Sequence, residues 1–538
     1  MEKLNFNSAL KNIIKQELKG SNPIPDILGF LHIKSIYGND FNKILNEMLQ
    51  NNIGNIDKVK RLPLLKIDVP KPNFTIRPMA RPNIIDWLFY EAIIYYFTKL
   101  ILKNKEICKP SYSILNFLKE KGNKKENPWI KFDNKSRELY YNDGYKWAVV
   151  TDITGYYENI SLTELRRRII DFIGNDNDLK LIDFLLKMLK NWSRERIEDY
   201  GIPQGPSASG FLGDIFLDSI DRIMEKYEGY FRYMDDIRIF CKEEIQAKLA
   251  LKDLVLALRN LKLNINAKKT DILYDKQIES KLFDPKKVSL DSIEIAMETE
   301  EENTIKSIAI PGLLQLVNEA FYNDEFEKRH IVFSLYRLGI LYNSGFNFDQ
   351  STILKNIKGS FISKPHHTGI FCDFLSNFEN DNSLPIFLIS FLESENNIYE
   401  WQEIKILQAL LRFNFMAKRN DIDFFLIKAK DANNNFVIRA FYFLLIGKYG
   451  NNRDRNLLID IYNNEHSLNK YAKRAIILSV QELGKASRND FYSNVHKTEE
   501  EEIILFIQYI KSLRNPIYYL AINKKIIESY KTLETEYY

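Results

Sequence analysis

The chain has 538 residues, of which 45% are hydrophobic, 28% charged and 13% aromatic, and its formal net charge is +4. That length is too great for one ordinary core and points to two or three domains, while the composition leaves no room for long disorder. So small a net charge excludes a strong global field, and a nucleic-acid partner would have to be gripped by local Lys/Arg clusters.

Residues 1–60 form an N-terminal helical extension, with short helices around a break at Ser21-Asn22-Pro23-Ile24-Pro25. Leu62 to Pro82 is rich in Pro, Lys and Arg, which suits extended segments carrying basic side chains. IIDWLFYEAIIYYFTKLIL, 84 to 102, is an apolar helix, and a Lys-rich loop, GNKKENP, follows. KWAVVTDITGYY is a β-branched strand ending on an acid. LTELRRRIIDFI and LKLIDFLLKMLKNW have the three-and-four spacing of amphipathic helices. GIPQGPSASGFLGDIFLDSIDRIMEKY opens as a Gly/Pro/Ser loop and continues as a helix. RYMDD then stands between two apolar strands, before the helix KLALKDLVLALRNL and the strand-like LKLNINAKKTDIL.

Beyond about residue 300 the pattern is helix after helix with Asn-rich connectors. EIKILQALLRF, FVIRAFYFLLIGKYG and YAKRAIILSVQELG recur at roughly 33 to 35 residues, a spacing that suits stacked helical hairpins. Arg439-Ala440 and Arg474-Ala475 match in register. An irregular bundle is the alternative, since apolar helix faces look alike in either arrangement. The three cysteines, Cys108, Cys241 and Cys372, share no CxxC spacing, which argues against zinc and disulfides and fits a reducing cytoplasm. The adjacent His366 and His367 follow Pro365 without acidic or cysteine neighbours in sequence, so they read as surface loop residues. No apolar stretch has the length to cross a bilayer.

Two adjacent carboxylates repel unless a cation or water intervenes, so Asp235-Asp236 at a hairpin tip is either solvated or a metal seat. Asp152 ends a second strand. If the two strands are neighbours, three carboxylates converge, as two Mg²⁺ ions require to clamp an attacking hydroxyl and a triphosphate.

These segments resemble the reverse transcriptases, whose ordered motifs are matched over roughly residues 60 to 280. RPMARPNIIDWLFYEAI is similar to the fingers, TDITGYYENI to the first metal motif and GIPQGPSAS to the nucleotide-side loop. RYMDD is similar to the second metal motif, and LNINAKKT to the strand and lysine that follow. The resemblance implies an α+β polymerase fingers and palm over 61–295, followed by an all-α, HEAT-like helical-repeat domain over 296–538. It implies Asp152, Asp235 and Asp236 as catalytic metal ligands with the carbonyl of Ile153, Mg²⁺ or Mn²⁺ as the ion and dNTPs as substrates. Tyr157 would be the sugar gate that favours deoxynucleotides. Gln204 and Gly205 would border the incoming base and template, Arg77 would meet the triphosphate, and Lys269 would protonate pyrophosphate, with Lys268 beside it as the alternative. Each has a plainer reading: core packing for Tyr157, a turn residue for Gln204, solvated edge charges for Arg77 and Lys71.

A palm fused to a helical region, without an RNase H acid set or a VTG signature, is most similar to the bacterial abortive-infection, defence-associated (unknown-group) reverse transcriptases. That resemblance implies an antiphage role in the cytoplasm, homo-oligomers, a DNA product and, in several members, untemplated synthesis primed from a protein hydroxyl. Tyr37, Tyr537 and Tyr538 are the candidate primers. The competing readings are synthesis templated by an associated RNA, a silent nucleic-acid scaffold, and a palm-fold nucleotidyl cyclase, which would need neither GIPQG nor the fingers motif.

Overall fold

The computed structural model describes residues 4–18, 24–26, 40–55, 63–101, 110–117, 127–173, 178–193, 199–299, 301–322 and 327–518. Cys108, the candidate primers Tyr37, Tyr537 and Tyr538, and the GNKKE stretch lie outside them.

Helix α1 (Phe6–Leu18) and a helix at Phe41–Gly54 precede an antiparallel hairpin of β1 (Leu65–Pro70) and β2 (Ile76–Arg81). Next comes α2 (Ile84–Ile101), which is apolar on nearly every face and accordingly buried, from Trp87 through Ile94 without interruption. Of its two buried acids, Asp86 and Glu91, the second accepts hydrogen bonds from Trp87, from Asn12 and Gln16 of α1, and from the Ala208 backbone. Glu91 therefore ties the N-terminal helix to the loop that contains Gln204 and Gly205.

Four antiparallel strands form the central sheet, in the order β4 (Gly229–Tyr233), β5 (Asp236–Cys241), β3 (Trp147–Thr151), β6 (Asp271–Tyr274). Both faces are covered, as the unbroken apolar run of β3 requires. Val149 joins the large cluster under the helices, and Ala148 joins a smaller cluster with Phe132, Phe231 and Phe240 on the other face. The segment LNINAKK is not a full strand: only residues 271–274 pair as β6, and Ala267–Lys269 forms a 3₁₀ turn before them. Ile265 makes a single bridge to Ile153.

From residue 287 onward the described chain is helical, and its buried side chains form a second cluster. The helix Lys287–Glu298 crosses the expected limit at 295/296 and gives Leu290, Ile293 and Ala296 to that cluster. Helices α5 (Glu327–Asn343), α6 (Thr368–Leu375), α7 (Glu400–Arg412), α8 (Phe436–Tyr449), α9 (Lys470–Ser479) and α10 (Glu501–Ser512) pack each on the next; α3 and α4 are the site helices introduced below. One further helix separates each successive pair along the chain. The matched arginines are both buried: Arg439 pairs with Glu465 (2.6 Å), and Arg474 lies 3.4 Å from Asp26.

The helical region packs on the β1–β2 hairpin. β1 lies on α7, Asn435 donates to the Lys66 carbonyl (3.1 Å) and Tyr399 to the Phe74 carbonyl (3.3 Å). Arg81, at the end of β2, is buried against Glu17 (2.6 Å) and Asp26 (3.0 Å), which joins α1, the hairpin and α9 at one point. Among the described residues no helix is long and apolar enough to cross a membrane.

The reading of His366 and His367 as surface loop residues is corrected. They belong to a 3₁₀ turn, Pro365–His367, and His367 is 1% exposed, with its Nε2 2.9 Å from Glu327 Oε1. Sequence distance hid the acid, which lies some forty residues upstream at the start of α5.

Candidate active site

Strand register places the first acid beside the hairpin tip. Thr151 pairs with Ile237 and Val150 with Arg238, so one step beyond the ladder Asp152 falls opposite Asp236. Asp152 is buried. Its Oδ2 is ion-paired with Lys269, and its Oδ1 is buried with no hydrogen-bond partner among the described residues. Lys269, not Lys268, is thus the lysine that faces the acids. The backbone of Asp152 accepts from Asn266 (2.8 Å), and Thr154 donates to Asn264 (2.9 Å). Ile153, bridged to Ile265 between those two bonds, therefore turns its own carbonyl away from that chain and toward the β5 side.

The β4–β5 turn holds Met234 at φ 54°, a left-handed value, while Asp235 is not left-handed. A positive φ at the first central position alone is the type II′ pattern, which Gly usually fills. Both backbone groups of Met234 are held from below: its N–H donates to Ser113 Oγ (2.9 Å), and its carbonyl accepts from Arg232 Nη1 (3.2 Å). Arg232 is fully buried. Its guanidinium donates twice to Asp221 (2.8 and 2.7 Å) and once to Asp214 Oδ1 (2.8 Å), which also accepts from Ser111 and Ser113. Asp214 lies in α3 (Ser207–Phe216) and Asp221 in α4 (Asp218–Met224), seven residues apart and so on one side of the helical run. The strain of the turn is thus braced by a buried charged network.

Burial and mutual repulsion raise the acids at the tip despite the basic side chains that oppose them. Asp235 is pushed up to about 6, first by burial, then by Asp236, with Asp152 adding to the rise and Arg77 opposing it. Asp236, although open to solvent, is also raised, by partial loss of hydration and by Asp152, against Lys269 and Arg77. Lys71, just after β1, is lowered by burial and by Arg77 and Lys269, and supported by Asp152 and Asp235. The hairpin therefore aims Arg77 and Lys71 at the acids, although Arg77 itself is exposed. Lys71 had only an edge-strand reading in sequence.

Tyr157 is half-buried beside the tip, with its hydroxyl 3.9 Å from Met234 Sδ, and its phenol is raised by burial and by Asp235. Its neighbour Tyr156 is buried and bonds the Gly213 carbonyl (2.5 Å). The Gln204 carbonyl accepts from the Ala80 N–H of β2 (2.8 Å), which locks the GIPQG loop to the hairpin. Gly205 sits at φ 140°, and a Cβ there would stand 2.8 Å from the Ala80 carbonyl oxygen. The close approach that demands glycine is thus, in this structure, to β2.

All three acidic donors are hard oxygens, and the partnerless Asp152 Oδ1 fits a hard divalent cation such as Mg²⁺ or Mn²⁺. Their oxygens are not drawn into one tight cluster. Among the described residues, the group whose ligand atoms all lie within 4.8 Å of one another is Glu327, His366 and His367. In this arrangement Lys269 supplies the positive charge that Asp152 takes.

Acids on neighbouring strand ends of an antiparallel sheet, with basic side chains near enough to act on their charge, suit divalent-metal nucleotidyl transfer. Residues 69–303 match the family described as reverse transcriptase (RNA-dependent DNA polymerase), a class of nucleotidyltransferases. No curated protein matches the chain. Among solved structures, the apo telomerase of Candida tropicalis truncated from its C-terminal domain aligns at 16% identity and TM-score 0.30, over 43% of this chain and 55% of that one. The chain thus spans about half the length of that telomerase. Candida albicans telomerase with a fragment of telomeric RNA aligns at 10% identity and TM-score 0.31, over 75% and 70% of the two chains.

Proposed function

We propose that the protein is a divalent-metal-dependent DNA polymerase of reverse transcriptase type. The observation that carries this is the placement of Asp152 level with the Asp235-Asp236 tip, with a buried oxygen left for a cation. Asp152, Asp235, Asp236 and the Ile153 carbonyl would hold Mg²⁺, which when bound neutralises charge on the triphosphate and makes the attacking hydroxyl more acidic. Arg77 and Lys71 would grip the triphosphate, and Lys269, released from Asp152, would meet the pyrophosphate. Gln204 would position the incoming base through a loop pinned to β2. Residues 61–295 would act as fingers and palm, and 296–538 as a HEAT-like domain supporting the hairpin. The resemblance to abortive-infection enzymes supports an antiphage role in the bacterial cytoplasm, homo-oligomers, and a DNA product begun on a protein hydroxyl of Tyr37, Tyr537 or Tyr538.

Purified protein incubated with Mg²⁺ and labelled dNTPs, with and without template and primer, tests this. Label incorporated into DNA supports the polymerase, and label held covalently by protein supports self-priming. No incorporation under any of these conditions would reject the proposal.

Two expected results follow from the geometry. Tyr157→Ala opens the space beside the tip, so discrimination against ribonucleotides falls by about tenfold or more. Unchanged discrimination, measured as the ratio of dNTP to rNTP kcat/KM, would remove Tyr157 from the gate.

The second concerns pH. Asp235 is raised from 3.8 to about 6, so below pH 6 it carries a proton that a bound cation must displace. Apparent Mg²⁺ affinity therefore weakens about tenfold per pH unit below 6 and levels off above it. The sign is opposite for the metal-free fold. A raised acid stabilises it most below pH 3.8, and that contribution is lost as pH rises through 6. Asp236→Asn loses a ligand and weakens Mg²⁺ binding at every pH, but it also removes a like charge from beside Asp235 and should move the pH midpoint of Mg²⁺ binding downward; Mg²⁺ titrations of incorporation at several pH values would show an unmoved pH midpoint if Asp235 is not a ligand.

A further inference from the structure

The helical half carries a second, separate set of metal-ligand atoms. Glu327 opens α5, and the 3₁₀ turn Pro365–His367 precedes α6. His367 Nε2 lies 2.9 Å and His366 Nε2 3.6 Å from the same oxygen, Glu327 Oε1, with the two rings 4.2 Å apart. A hydrogen bond accounts for the His367 contact alone, because 3.6 Å is beyond bonding distance. Ligand atoms about 2.0–2.2 Å from a tetrahedral zinc ion stand roughly 3.3 Å from each other, and the two observed separations bracket that value. The second carboxylate oxygen, Oε2, is held at 2.8 Å by Lys364, which fixes the carboxylate's orientation as outer partners of metal ligands commonly do.

We propose that Glu327, His366 and His367 bind a zinc-class divalent cation that clasps the start of α5 to the turn before α6. Two imidazoles and one carboxylate suit zinc rather than Mg²⁺, which prefers all-oxygen sites and keeps several waters. Three protein ligands leave a fourth position, and the partial exposure of Glu327 and His366 gives solvent access to it. The site adjoins the polymerase hairpin. Lys328, the next residue after Glu327, is depressed by burial and by Arg77 of β2, and the His turn packs on β1. The ion would therefore fix the part of the helical stack that meets Arg77, without touching the three aspartates.

The test uses the untagged full chain, stripped with chelator and titrated with ZnCl₂ or CoCl₂. One equivalent should bind per chain, Co²⁺ should give the intense visible absorption of a tetrahedral N/O site, and saturating zinc should raise the thermal midpoint by roughly 5 °C. His366→Ala, at the more exposed of the two histidines, and Glu327→Gln should each lose the equivalent and the shift, while Asp235→Asn should keep both. Absence of binding to the wild type would overturn the proposal. So would binding retained in both ligand variants, or binding lost in Asp235→Asn. Because none of these readouts is DNA synthesis, their failure is distinct from failure of the polymerase reading.

Discussion

Asp235→Asn is expected to cut dNTP incorporation by on the order of 10²- to 10³-fold or more while the protein stays folded. Phosphoryl transfer depends almost wholly on positioning and charge neutralisation, so losing one ligand charge at the turn strikes the step that matters most. The substitution changes neither side-chain volume nor the Met234 bonds that hold the turn. It also removes a charge that burial, Asp236 and Asp152 all disfavour. The metal-free variant should therefore unfold at the same temperature as the wild type or slightly higher, the usual relation between an active-site charge and stability. Incorporation assays and thermal unfolding on the same preparation check both halves. Full incorporation by a folded Asp235→Asn protein would end the assignment of this tip as the metal seat. In a bacterial host, the same variant should give no phage protection if defence depends on synthesis.

Much of this arrangement is legible in the chain because short-range patterns dictate it. The unbroken apolar run before Asp152 can only be a strand covered on both faces, and two acids between two such runs can only be a hairpin tip. The helix from 84 to 101 announces its burial by lacking a polar face. What sequence does not carry is the meeting of residues far apart in the chain. Glu327 lies about forty residues from the His pair, so a third ligand was invisible at sequence spacing. Lys71 looked like an edge charge because nothing in a strand pattern says which way a hairpin leans. LNINAKK resembles a strand because alternation resembles pairing, yet among the described residues it makes a single bridge, Ile265 to Ile153, before Ala267–Lys269 coils into a 3₁₀ turn. Apolar faces alone do not choose between stacked hairpins and an irregular bundle, because they look alike in either arrangement. Arg232 carries no motif of its own beside the more conspicuous acids. A signal did exist, in an arginine set within an apolar strand and two acids seven residues apart in the helices before it.

That arginine carries the second large expectation. Arg232→Met should destabilise the fold by about 3–5 kcal/mol, because it leaves Asp214 and Asp221 buried without the cation that compensates them. All three side chains are essentially inaccessible to water, so solvent screening cannot soften the loss. A loss of that size is a large share of the stability of an ordinary domain. Four of the five tryptophans, Trp87, Trp129, Trp147 and Trp192, lie in the sheet-bearing half, so urea unfolding followed by tryptophan fluorescence reports mainly on it. The catalytic effect should exceed the stability effect under conditions where the variant remains folded. Without the Nη1 bond to its carbonyl, Met234 loses one of the two braces that hold it at positive φ, and Asp235 follows it. Arg232→Lys separates the two contributions: it keeps a charge between the acids but cannot reproduce the two-pronged bond to Asp221 together with the reach to Asp214 and Met234. It should recover part of the stability and little of the incorporation. If Arg232→Met costs under about 1 kcal/mol, the network is not what compensates the acids. If instead it unfolds easily yet polymerises normally once stabilised by low temperature, the network holds the core but not the turn.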